Sequence, residues 1–224
     1  IIGGIAAGAL CGLISGFAVS KMKIPPFIAT LAMMMITKGL SLVISGTKPI
    51  YFNDIPSFTN ISMGSIIPSF GIPNAVFIFF LVAIVAAIVL SKTLIGRYTF
   101  SLGSNEEATR LSGVNVTSWK ILIYTITGVF SGIAGILMAS RLNSAQPSLG
   151  AGYELEAIAA VVIGGTSLNG GKGSIMGTVI GALIMSVLTN GLRILSVKQE
   201  WQTVIVGLVV LLAVYADIVR RKKK

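Results

Sequence analysis

Few of the 224 residues could do chemistry. The run GGTSLNGGKGS, residues 164–174, sets a lysine among glycines much as a phosphate-binding loop does, and that loop reads G-x-x-x-x-G-K-[ST]. The pattern fails twice: Thr166 stands where the first glycine is required, and Gly173 follows Lys172 where a serine or threonine must be. The run also follows an apolar segment rather than a strand, so it reads as a tight turn and not as an ATP site. Glu154 and Glu156, two positions apart, point to nearly opposite sides of a helix. Two readings of them stand, as interfacial capping or packing residues and as substrate ligands. Lys38 lies inside an apolar run, which is costly unless it snorkels, pairs internally or faces a polar cavity. Only the last would give it a part in lining a pathway. The absence of histidine removes the usual metal ligand and general base. The single cysteine, Cys11, excludes an intrachain disulfide and reads as a packing residue. No nucleophile–base pair or supported carboxylate pair stands out. Catalysis, a cofactor and a metal are therefore not expected.

The elements that must position these residues are membrane-grade. Hydrophobic residues make up 54% and charged residues 11%, with a mean hydropathy of +0.92, which excludes an ordinary soluble domain. A spanning helix needs about 20 apolar residues. Residues 1–20, 27–46, 74–91, 119–139, 175–195 and 201–217 read as spans, with residues 153–168 as a shorter, tilted or broken segment shielded by others. The expected fold is an all-α polytopic bundle of about seven segments. Gly4, Gly8, Gly12 and Gly16 strip one ridge of the first span of side chains, so another helix can approach closely. Gly128, Gly132 and Gly135 offer a second such face; Gly177 with Gly181, and Ala157 with Ala160 and Gly164, offer two more. Residues 47–73, with Pro49, Asn53, Asp54, Pro56, Asn60, Pro68 and Pro73, have loop composition, with residues 61–70 a candidate interfacial stretch. The chain opens inside an apolar run without Met or a charged n-region, so a signal peptide is not expected and an N-terminal truncation is.

One long polar interval interrupts this pattern, KTLIGRYTFSLGSNEEATRLSGVNVTS, residues 92–118. Ser104 and Glu107 have the spacing of a capping box, which predicts a helix of about two turns over 105–112 with Gly113 as its left-handed cap. Ala108 and Leu111 would share its apolar face, while Glu106, Glu107 and Arg110 stay wet. So short a helix needs its neighbours to hold it. It reads either as a solvated connection or as an element offered to a partner.

Three stretches resemble one family. GRYTFSLGSNEEATRLSGVNV is similar to the cytoplasmic coupling segment of the membrane-embedded permeases of ATP-driven (ABC) sugar importers, the ribose/xylose/galactoside group. SAQPSLGAGYELEAIAAVVIGGTSLNGGKGS and PPFIATLAMMMITKGLSLVISGTKPIY resemble two further hallmarks, and the resemblance runs through essentially the whole chain. It implies a single permease domain over residues 1–224 with about ten spans when complete, as in polytopic bundles generally. It implies no cofactor, and as partners a cytosolic ABC ATPase dimer, a second permease copy (homodimer or close paralogue), an extracytoplasmic sugar-binding protein and membrane lipid. Gly103, Asn105, Glu106, Ala108, Ser112 and Gly113 match the coupling motif, to which the helical spacing adds Leu111. Gln146, Pro147, Gly152, Tyr153, Glu154, Gly164, Gly165, Gly170 and Gly171 match the late motif, where Glu156 replaces a common Asp. Lys38, Gln146, Tyr153, Glu154, Gly164 and Gly165 are the candidate translocation or gating residues.

The net charge of +10 reports orientation rather than nucleic-acid binding, because the basic residues flank apolar runs. With residues 92–118 and the tail on the cytosolic side of a bacterial inner membrane, alternation puts 12 Lys/Arg inside and 4 outside. An ion-coupled secondary carrier would need titratable groups near the midplane, where Lys38 is the one clear charge. An ATP-driven permease needs instead a cytosolic docking element, which residues 104–113 supply. A scaffold or channel-like protein is a third class. A monosaccharide such as ribose is the expected cargo, with a signalling furanosyl compound or an amino acid as alternatives.

Overall fold

The computed structural model describes residues 1–53, 55–65 and 71–222, and among these the chain is all-α. In order it forms α1 (Ile2–Ser20), α2 (Pro26–Ser45), β1 (Ile50–Tyr51), α3 (Pro56–Met63), α4 (Asn74–Lys92), α5 (Leu94–Ser104) and α6 (Glu106–Leu111). Then come α7 (Val116–Leu142), β2 (Ser144–Ala145), α8 (Tyr153–Ile163), α9 (Ile175–Ile194) and α10 (Gln199–Lys222). Helices α1, α2, α4, α7 and α9 are long and apolar enough to cross a membrane. The apolar part of α10, Gln199–Tyr215, is shorter. Helix α8 has 11 residues, about 16 Å of rise, roughly half a hydrocarbon core. Among the described residues five of the six expected spans thus have spanning length, with α10 the shorter one, and α8 is the short helix the sequence predicts.

The chain forms two compact units, Ile1–Val82 with Arg110–Leu149, and Ala83–Thr109 with Gly150–Lys224. In the first, α1 lies backbone to backbone on α7. A methyl group at Gly8 would strike the Gly128 carbonyl, one at Gly12 the Tyr124 carbonyl, and one at Gly132 would come within 2.8 Å of the Gly4 carbonyl. Gly135 departs from its expected role: nothing lies within 4 Å of a side chain there. In the second unit α8 runs against α9, with Gly164 against Gly177 and Ala160 against Gly181. Ala159, Ala160 and Met185 form the small core there, while Ala157, expected on that face, is exposed.

Residues 47–73 are not simply a loop. They hold β1, which pairs antiparallel with β2 (Ile50 with Ala145, Tyr51 with Ser144), and α3, which sits against the end of α7. Ser140, with no accessible surface, fastens α3: its hydroxyl donates to the Phe58 carbonyl at 2.7 Å and accepts from the Ser62 amide at 3.0 Å. Asn143 takes the Thr59 hydroxyl at 3.0 Å from its left-handed position after α7. Eight residues with Pro56 at the start thus form a helix because neighbours satisfy and bury it. Asp54, residues 66–70 with Pro68, and the side chains of the basic tail at 220–224 lie outside the described residues.

Away from these seams apolar side chains are bare. Val43 is 78% exposed, and no residue of α4 is buried. In water this would be an aggregation hazard, whereas in lipid it is the required outer surface.

Candidate functional site

The polar interval 92–118 folds as two helices and a cap rather than as one helix in a loop. Helix α5 runs through Ser104, so Ser104 has helical backbone and cannot be the N-cap the capping box assigns to it. Asn105 takes that place: its backbone is extended (φ −155°), and its Oδ1 accepts from the Ala108 amide at 3.0 Å. Helix α6 is six residues, about 9 Å, shorter than expected, with Glu106 and Glu107 at its positive end. Gly113 is left-handed (φ +82°), as its spacing predicts, and its amide reaches the Arg110 carbonyl at 3.0 Å.

The faces of α6 follow from one buried residue. Thr109 is 4% exposed, and its Oγ1 lies 2.6 Å from Ser101 Oγ on α5 while bonding back to the Asn105 carbonyl at 2.8 Å. That leaves Ala108 exposed and Leu111 83% exposed, the apolar spot the spacing predicts. The Ser101–Thr109 pair was not legible in the sequence, because it joins two separate helices and depends on the break at Asn105. Gly103 lies apart from the exposed spot. It faces the turn at Gly170 and Gly171 within the second unit.

The candidate translocation residues are divided between the two units. Lys38 and Gln146 belong to the first unit; Tyr153, Glu154, Gly164 and Gly165 belong to the second. Within the second unit Tyr153 and Glu154 begin α8 and Gly164 and Gly165 follow its end, about 16 Å of helix between them. Glu154 folds back to accept from the Gly152 amide at 3.0 Å, the capping arrangement. Gln146 donates to the Ser144 hydroxyl at 3.2 Å. Gly165 is left-handed (φ +87°), and residues 164–174 close as a turn through the Ser167 amide and the Lys172 carbonyl at 2.9 Å. No group of three or more potential metal ligands occurs among the described residues.

Helices α1, α2 and α7 border a groove of about 610 Å³ in the first unit. Ser15, Thr30, Thr37, Tyr124, Thr127 and Ser131 bring hydroxyls to it, and it has no charged lining residue; Lys38 is not among its walls. Five of the hydroxyls donate to carbonyls one turn back on their own helices, so each oxygen keeps the capacity to accept. The seven-residue spacing of Thr30 and Thr37 was the available sequence signal.

The family described as "branched-chain amino acid transport system / permease component" matches residues 1–214. The ribose import permease protein of Escherichia coli (strain K12) is 45% identical over 213 residues, 95% of this chain and 66% of that protein. The fructose import permease protein of Rhizobium meliloti is 40% identical over 97% of this chain and 61% of its own length. The L-arabinose transport system permease protein of Escherichia coli (strain K12) is 41% identical over 94% and 63%. The chain thus spans a little under two thirds of the curated relatives it matches. No solved structure matches it. With its lipid-exposed helices, its glycine seams and a family match through residue 214, the chain belongs to the permease-component family of branched-chain amino acid transport systems.

Proposed function

We propose that the chain is the membrane-spanning permease part of an ATP-driven importer of a monosaccharide, with ribose the first candidate. The observation that carries this reading is the 45% identity to a ribose import permease along 95% of the chain, above the 40–41% to the fructose and arabinose permeases. The groove, mostly apolar with six hydroxyl-bearing side chains and no charged one among its walls, supports a neutral cargo. The chain is not an enzyme in this reading. ATP is hydrolysed by a separate cytosolic ATPase dimer that grips the exposed spot of α6, Ala108 and Leu111. A second permease copy completes the pathway, and an extracytoplasmic sugar-binding protein delivers the sugar. The site is the bacterial inner membrane, with α6 and the C-terminus cytosolic.

The test is uptake of labelled ribose, arabinose and fructose by the full protein assembled with its ATPase in vesicles, with and without mutation of the ATPase Walker lysine. Ribose uptake that vanishes with the mutation is the expected result. Uptake that persists and follows an ion gradient would replace this reading with a secondary carrier.

A further inference from the structure

A six-residue helix cannot act as a lever by itself, so what α6 is fastened to decides where its motion goes. Its buried residue is Thr109, and the hydroxyl of Thr109 lies 2.6 Å from that of Ser101 on α5. Helix α5 is in turn held at both ends without side chains. At its start Gly96 sits so close to the Leu90 backbone that no Cβ fits. At its end a Cβ on Gly103 would come within 2.6 Å of the Gly171 amide nitrogen and 3.3 Å of Gly170 Cα. Conversely, a Cβ on Gly170 would lie 2.6 Å from the Gly103 carbonyl, and one on Gly171 would lie 3.0 Å from Ser104 Cα. Gly170 and Gly171 hold positive φ (85° and 75°), so the turn that meets α5 is glycine on both conformational and steric grounds.

That turn is the link between α8 and α9. Gly164, on the α8 side, lies against Gly177, and Ser174 caps α9 by accepting from the Gly177 amide at 3.0 Å. A contact between side chains can yield by changing rotamer. A contact between two backbones cannot, so it passes displacement on as a nearly rigid step.

We propose that the joint of Gly103 with Gly170 and Gly171 is a positioning element that carries movement of α6 through α5 into the α8–α9 pair. This rests on the reading of α6 as the ATPase-docking element, and it gives Gly103 a role other than touching the ATPase. The glycine-rich run that fails as a phosphate loop is then the receiving end of the stroke.

The experiment measures sugar moved per ATP hydrolysed by the reconstituted importer. Gly103→Ala keeps or improves local helix propensity while forcing the joint apart. Gly135→Ala is the control, a membrane-helix glycine with nothing within 4 Å. The expected result is an assembled complex in which Gly103→Ala lowers the sugar-to-ATP ratio by roughly tenfold, within the usual span of coupling between sites, while Gly135→Ala leaves it unchanged. An unchanged ratio in Gly103→Ala overturns the proposal. If Gly103→Ala does not assemble, Ser101→Ala decides: it removes one hydroxyl of the latch without adding volume, and a ratio equal to that of the parent overturns the proposal, whereas a several-fold fall supports it. Failure of the unaltered protein to bind any ATPase would instead remove the docking reading itself.

Discussion

Leu111 is the residue whose surroundings argue most directly for a partner. At 83% exposure, on a helix flanked by Glu106, Glu107 and Arg110, it is an apolar side chain in a polar setting. Thr109, two residues before Leu111 and so on roughly the opposite side of α6, is turned inward, so the orientation of α6 is imposed rather than free. Leu111→Asp or Ala108→Glu places a charge on a surface that docking would desolvate, at a cost of several kcal/mol when no counter-charge is present. The parent fold loses little, because both positions are already exposed. The expected outcome is a protein that inserts and expresses as before but no longer couples ATP hydrolysis to uptake, measured as labelled-sugar accumulation beside ATPase pull-down. Uptake and complex assembly that both persist would remove Leu111 and Ala108 from the docking surface.

At the scale of elements, the glycine ridge of α1 yields the sharpest stability test. Gly8 and Gly12 lie where the α7 backbone leaves no room for a Cβ. Gly8→Leu must separate the helices or distort them, and overpacking of this kind costs about 1–3 kcal/mol or more. A lower melting temperature in detergent and reduced yield are expected, with Gly135→Leu on the open face of α7 as the tolerated comparison. Equal stability of the two variants would show that the seam is not a close contact. This seam was legible in the sequence because four-residue spacing is a local property of one helix. The spans were legible for the same reason, since apolar length needs no partner to be read. Helix α3 was not legible: its existence depends on Ser140 and Asn143, some eighty residues away, satisfying its backbone and side chains. The shift of the cap from Ser104 to Asn105 has a similar origin. A capping box fits the local letters, but α5 extends through Ser104 and takes that residue out of contention. The exposed face of α6 was readable from spacing, whereas the Ser101–Thr109 pair and the Gly103 contact were not, because both are contacts across a break or a long loop.

For the whole molecule the decisive question is which side of the membrane each connection occupies, since α6 can meet a cytosolic motor only from within. If the chain changes sides at each of the seven segments expected from the sequence, 12 Lys/Arg fall on the side that carries residues 92–118 and 4 on the other, which is the bias that supports the proposed orientation. Helix α8, about 16 Å long, does not cross by itself, so the side on which Lys172 lies is not set by its length. The close approach of Gly103 to Gly170 and Gly171 puts the 164–174 turn on the same side as the end of α5. The alternation that gives 12 to 4 already places Lys172 with residues 92–118, and the contact of Gly103 with Gly170 and Gly171 agrees with that placement. It is checked by replacing Cys11 with alanine, introducing Leu111→Cys, Lys172→Cys or Tyr51→Cys singly, and adding a membrane-impermeant thiol reagent to intact cells. Tyr51→Cys should react from outside, and the other two only after permeabilisation. Labelling of Leu111→Cys in intact cells would invert the orientation and with it the docking reading. Opposite behaviour of Leu111→Cys and Lys172→Cys would place α6 and the 164–174 turn on different sides and break the path from α6 to α9.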